Sequence, residues 1–123
     1  MVPALIATDV DGTLLNGKDR ISRRTREAIQ AAMADGAQFV LATGRPPRWI
    51  PPVVSELGFA PMAVCANGAV VYDAATDRVI SARTLSVDTL AELAEISLRA
   101  VPGAGLAAES VEAGLVEIGG GEG

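Results

Sequence analysis

The 123-residue chain sets 10 Lys+Arg against 15 Asp+Glu and has one cysteine, no histidine and a half-hydrophobic composition. A net charge of −5 argues against a nucleic-acid surface, which needs clustered Lys and Arg to meet phosphates. The missing histidine removes Ser-His and Cys-His nucleophile systems and every His metal site, and Cys65 alone makes no internal disulfide or thiolate zinc cluster. Aromatics are only 3%, so the core is expected from Ala, Val, Leu and Ile. No apolar run approaches the ~18 residues of a membrane span, and the N-terminus lacks the basic start of a signal peptide. A cytoplasmic chain without a membrane partner is expected.

A first apolar strand spans roughly residues 3 to 9 and runs into TDVDGTLL at 8–15. Ser22 is placed to N-cap a helix to about Asp35, with Thr25, Ala28, Ile29, Ala32 and Met33 on one face. The basic run RISRRTR at 20–26 reads as the solvated face of that helix. Gly36 stops it, and AQFVLAT (37–43) is a second strand. The prolines of 46–58 allow only a short helix, from about Pro51 to Leu57 and closed at Gly58. MAVCA (62–66) is a third strand, and Asn67-Gly68 before AVVYD signals a hairpin. AATD (74–77) turns into RVISART, and a helix from Val87 to Ala100 is N-capped by Ser86. Leu90, Leu93, Ala94 and Ile96/Ser97 lie near its inner face. Two short strands, AGLAAES and AGLVEI, and a GGGEG tail complete the chain.

Strand–helix–strand–helix–strand is the pattern of a parallel α/β sheet. The hairpins after residue 67 break it, so a boundary is expected near residues 73 to 83, before an α+β piece. Ligands of open α/β sheets gather at the carboxyl ends of the strands. Asp9/Asp11, Thr43-Gly44-Arg45 and Asn67-Gly68 all fall there.

Residues two apart on an extended chain point to one side, so Asp9 and Asp11 can address one locus. Two carboxylates that close repel unless a cation sits between them or one carries a proton. A Mg²⁺ ion takes one or two carboxylates plus substrate phosphate. A carboxylate can also attack phosphorus, and its protonated neighbour can protonate the leaving group. Gly12 would let the backbone approach a phosphoryl group, and Thr43 offers a hydroxyl donor to it. A lone D-x-D is better explained by turns and caps. The longer string D-x-D-G-T-[LV] arises by chance in roughly one chain of this length in ten thousand.

DVDGTLL resembles the first motif of the haloacid dehalogenase-like hydrolases, and LATGR (41–45) resembles their second. TDVDGTLL, LATGRP, CANGAVVYD and RTLS together look like the Cof-type sugar-phosphatase branch, over residues 4 to 100. The resemblance implies a Rossmann-like core over residues 1–78 and the beginning of an inserted α+β cap over 79–123. It implies a Mg²⁺-dependent phosphatase of small phosphorylated metabolites, sugar phosphates foremost, working through an aspartyl-phosphate. Asp9 would be the nucleophile and a metal ligand. Asp11 would be the general acid/base, with its backbone carbonyl on the metal. Thr43 and the Gly44 N–H would hold phosphoryl oxygens, with Gly12 beside them. Arg45 reads equally as a substrate-side cation or a surface salt bridge, and Asn67 as a substrate-side amide or a turn residue chosen for positive φ. Cys65 is expected to be an ordinary buried strand residue.

The chain departs from the family in one respect. The third and fourth motifs should supply a lysine and a Gly-Asp pair, yet Lys18 is the only lysine and no Gly-Asp dipeptide occurs. The expectation is an N-terminal portion that stops inside the cap, self-associating or poorly soluble when made alone. A non-catalytic chain or interaction module is the alternative. A phosphoacceptor receiver domain is disfavoured, because its acids lie on different strands.

Overall fold

Residues 3–111 and 114–117 are described by the computed structural model. The chain divides into two units, Met1–Ala82 and Arg83–Gly123. In the first, the short apolar runs become strands β1 (Leu5–Thr8), β2 (Gln38–Ala42), β3 (Met62–Cys65), β4 (Val70–Asp73) and β5 (Arg78–Ala82). Helix α1 (Arg23–Ala34) joins β1 to β2, and α2 (Pro51–Leu57) joins β2 to β3. The sheet order is β1-β2-β3-β4-β5, parallel across the first three strands and antiparallel thereafter.

Strand periodicity decides what is buried. The register sets Ile6 beside Phe39, Leu41 beside Ala63, and Cys65 beside Val70, so these side chains share one face. Two successive crossovers of the same hand, stepping in the same direction along the sheet, lay both helices on one side. Accordingly Ile29 of α1 and Val53 and Leu57 of α2 join Phe39, Leu41, Ala63, Cys65, Val70 and Tyr72 in one buried cluster. The opposite face keeps Leu5 53% and Met62 36% exposed. Beyond β1, no strand among the described residues pairs with its outer edge.

The local signals act as their chemistry requires. The Ser22 side chain caps α1 by accepting the Thr25 N–H at 3.2 Å. Pro51 and Pro52 open α2 where no N–H partner is needed, and Gly58 closes it at φ 82°. The inner face of α1 is narrower than its apolar spacing suggests. Ile29 is buried and Ala32 and Met33 half-buried, but Thr25 and Ala28 are exposed. Thr25 is spent on the cap, where its Oγ1 accepts from Ser22 Oγ at 2.9 Å. Arg26 turns inward instead, donating to the Glu56 carbonyl at 3.4 Å.

One further expectation needs correction. The core is not purely aliphatic, because Phe39 and Tyr72 are buried and Phe59 meets Phe39 edge-on at 5.6 Å. The hairpin signalled by Asn67-Gly68 does form, β3 and β4 being antiparallel neighbours. Cys65 pairs with Val70, so four residues connect the strands, with Ala66, Asn67 and Gly68 all at positive φ. The neighbouring loop recruits their backbone: Ala66 N–H donates to Arg45 O at 2.9 Å and Asn67 N–H to Thr43 O at 3.2 Å.

The second unit holds α3 (Val87–Ala100) and the antiparallel strands β6 (Ala107–Ser110) and β7 (Gly114–Glu117). Ser86 caps α3 through the Thr89 N–H at 3.1 Å. Leu90, Ala94 and Ser97 are half-buried, whereas Leu93 and Ile96 stay 45% and 47% exposed. The GGGEG tail lies outside the described residues. Among the described residues, no helix is long and apolar enough to cross a membrane.

Candidate active site

Three strand ends converge on one locus. β1 ends at Thr8 and delivers Asp9, Val10 and Asp11 in alternation. Val10 is fully buried while both acids are exposed, so core packing of the residue between them turns the two carboxylates outward. The chain then curls back at Gly12 (φ 75°), where Leu15 N–H donates to Val10 O at 2.9 Å and Leu14 and Leu15 dive into the core. The leucines of the motif therefore anchor the loop that carries its acids.

A cavity of about 360 Å³ opens at these ends, lined by Asp9, Ala42, Thr43, Gly44, Val64, Asn67 and Gly68. Of the candidates read from the sequence, Asp9, Thr43, Gly44 and Asn67 meet in it. Gly12, Asp11 and Arg45 stand outside its lining. Gly44 is fitted to its place by proximity: a Cβ there would sit 2.9 Å from Asn67 Oδ1. Asn67 holds a positive-φ turn (φ 55°), as one of its two readings expects, and its amide lies against Gly44.

The two acids have different surroundings. Asp9 Oδ2 accepts one hydrogen bond, from Thr13 Oγ1 at 3.2 Å. Asp11 is gripped by Arg45, whose Nε and Nη2 donate to Oδ2 and Oδ1 at 2.8 and 2.7 Å. This is a bidentate, charge-assisted pair. Arg45 is itself held: its Nη1 donates to Trp49 O at 2.9 Å and its N–H to Thr43 Oγ1 at 3.0 Å. Its hydrogen bonding holds the Asp11 carboxyl below the ordinary value, and Asp11 raises Arg45 in return. For a depressed carboxyl the stabilisation is present above the unfolded pKa and is lost as pH falls through the lowered folded value. Of the two readings of Arg45, the salt bridge forms, and its partner is Asp11 of the first motif.

Thr43 is buried, with its N–H donated to Val64 O at 2.9 Å. Cys65 is buried on the core side, and burial pushes its thiol up to about 11, which makes it unreactive at neutral pH. Two partners went unassigned in the sequence. Thr13, four residues after Asp9, could have been paired with it by spacing in a tight turn. The Trp49 carbonyl carries no side-chain signal. No group of three or more His, Cys, Asp or Glu side chains able to hold a metal occurs among the described residues.

A family model described as haloacid dehalogenase-like hydrolase matches residues 6–111. The chain belongs to that family. It is 38% identical over 97 residues to the protein YxeH of Bacillus subtilis, covering 76% of this chain and 36% of that one. Pyridoxal phosphate phosphatase YbhA of Escherichia coli is 33% identical over 96 residues, covering 78% of this chain and 35% of the relative. The solved structure of BT4131, a subclass IIB sugar phosphatase of the superfamily, matches with TM-score 0.61 and 30% identity. That match covers 77% of this chain and 38% of the other. The chain thus spans about a third of the length of these curated relatives. Its five-stranded α/β sheet with helices is of the haloacid dehalogenase type.

Proposed function

We propose that this chain carries the nucleophile half of a phosphatase for small phosphorylated metabolites, sugar phosphates among them, with Asp9 as the attacking group. The observation that carries this reading is the lining of the cavity. An exposed carboxylate, a buried hydroxyl residue and a close-approach glycine converge at the carboxyl ends of parallel strands. Attack by Asp9 on phosphorus would form an aspartyl-phosphate and release the alcohol, and water would then cleave the acyl phosphate. Thr43 and the Gly44 N–H would hold phosphoryl oxygens, with the Gly12 turn beside them. Asp11, which Arg45 keeps ionised, is in the form that takes a proton from water. Its work as an acid toward the leaving alcohol would need a proton on one of its oxygens, with the other oxygen still held by Arg45.

The oxygen-only donor set fits Mg²⁺, which binds through few carboxylates and completes its shell with water and phosphate. Asp9 would hold it by its carboxylate and Asp11 by its backbone carbonyl, because the Asp11 side chain is taken by Arg45. When bound, the ion supplies positive charge against the phosphoryl oxygens. The residues up to about 78 form the core in this reading, and the second unit begins a cap that selects the substrate. A reducing, cytoplasmic location accords with the single unpaired Cys65.

A screen of sugar phosphates and pyridoxal 5′-phosphate, with and without Mg²⁺, tests the proposal on the protein at its natural length. Phosphate release that needs Mg²⁺ is expected, and inertness across the panel in both conditions would overturn it. The other reading, a chain that keeps these residues without turnover, draws on one observation: Lys18, the sole lysine, belongs to the loop after the first motif.

Two expectations follow. Thr43→Val keeps shape and branching but removes the hydroxyl, so kcat should fall. It also leaves the Arg45 N–H without its acceptor, at a cost of about 1–3 kcal/mol in stability. Kinetics beside a urea melt separate the two, and unchanged kcat per folded molecule would make Thr43 purely structural. The open β1 edge and the exposed Leu5 and Met62 should make the 123-residue chain associate when made alone. Sedimentation velocity over a concentration series reads this, and a constant monomer would refute it.

A further inference from the structure

The geometry points to Arg45 as a positioning residue that sets the orientation of Asp11, rather than as a group that binds substrate. This inference rests on the phosphatase reading above. All three guanidinium nitrogens are committed inside the protein: Nε and Nη2 to the two oxygens of Asp11, and Nη1 to the Trp49 carbonyl. The Arg45 side chain is only 15% exposed, while Asp11 is 56% exposed, so the arginine is the fixed member and the acid the presented one. Arg45 and Asp11 both stand outside the cavity lining, beside Thr43, Gly44 and Asp9, which form it.

The arrangement has a purpose that a single contact would lack. A carboxylate held by one hydrogen bond still rotates about its Cβ–Cγ bond, but a bidentate guanidinium fixes its plane. Both carboxylates come from the same turn, separated only by Val10, and their like charges repel. Pairing one of them with a cation drawn from the β2 loop relieves that repulsion and leaves Asp9 to the cavity. The Trp49 carbonyl closes the frame. It belongs to a short 3₁₀ turn, Pro47–Trp49, which starts at a proline and is flanked by prolines at 46, 51 and 52 that restrict the backbone. Asp11 is thereby aligned by a rigid element rather than by solvent.

A residue acting through Asp11 has a kinetic signature that a substrate contact lacks. Proton transfer to the leaving group matters for a sugar phosphate, whose alkoxide leaves poorly, and little for p-nitrophenyl phosphate. In the protein at its natural length, Arg45→Ala should lower kcat for a hexose phosphate about 10- to 100-fold, part of the 10²–10⁴ of a positioned acid–base group. With p-nitrophenyl phosphate the loss should stay within about threefold, and KM should barely move. Arg45→Lys keeps the charge but not the fork, so it should share the defect, and it serves if the alanine variant does not fold. On an Asp11→Asn background, adding Arg45→Ala should change kcat by no more than about twofold. Equal losses on both substrates, a rise confined to KM, full rescue by lysine, or additivity with Asp11→Asn would each overturn the assignment. Asp9→Asn, run alongside, separates the failures. If it stays active, Asp9 is not the nucleophile and the aspartyl-phosphate reading falls with this inference; if it is dead while the Arg45 variants are normal, only this inference falls.

Discussion

Asp9→Asn should bring phosphate-ester hydrolysis down by about 10⁴-fold or more, the scale on which loss of a nucleophile is felt. The amide neither attacks phosphorus usefully nor carries the charge a divalent cation needs. The fold should survive the change. Asp9 is exposed, its carboxylate accepts from the exposed Thr13 hydroxyl, and the neighbouring Val10, Leu14 and Leu15 that anchor the loop are untouched. Circular dichroism with a steady-state assay on a sugar phosphate is the measurement. A folded Asp9→Asn protein that retains wild-type kcat would remove Asp9 from the chemistry.

Asp11→Asn should leave phosphate affinity in place and lower kcat by about 10² to 10⁴-fold, the contribution expected of a positioned proton-transfer group. The loss should be steepest for substrates with poor leaving groups. The substitution also strands Arg45, because an amide offers one carbonyl oxygen where the carboxylate offered two, so a fall in thermal stability should accompany the kinetic defect. Measuring inorganic phosphate as a competitive inhibitor isolates binding from turnover. An equal rise in its inhibition constant and fall in kcat would show that Asp11 binds phosphate instead of moving protons.

From the string alone, the paired acids pose a problem with two solutions, a metal between them or a proton on one of them. The structure contains a third. An arginine 34 residues away arrives from the next strand and neutralises one acid. The contact depends on β1 and β2 being parallel neighbours and on the loop after β2 curling over the loop after β1. Nothing in the local string DVDGTLL encodes a partner at that distance. The Asn67-Gly68 turn shows the same limit: its local signal marks the hairpin, but the acceptors of the Ala66 and Asn67 N–H groups, the Arg45 and Thr43 carbonyls, come from the neighbouring loop.

What the chain carries locally was legible because it rests on short-range physics. Ser22 and Ser86 cap their helices through the N–H three residues on, Gly58 ends α2 with a positive φ, and alternation in β2 and β3 buries Phe39, Leu41, Ala63 and Cys65. The first two motifs, and with them the family, were legible for the same reason, being contiguous strings at strand ends. Tertiary structure alone decided which acid faces the cavity and which faces Arg45, which side chains of α1 turn inward, and which face of the sheet is left open. Each of these depends on side chains brought together from separate strands, and periodicity along one element carries no record of what will stand opposite it.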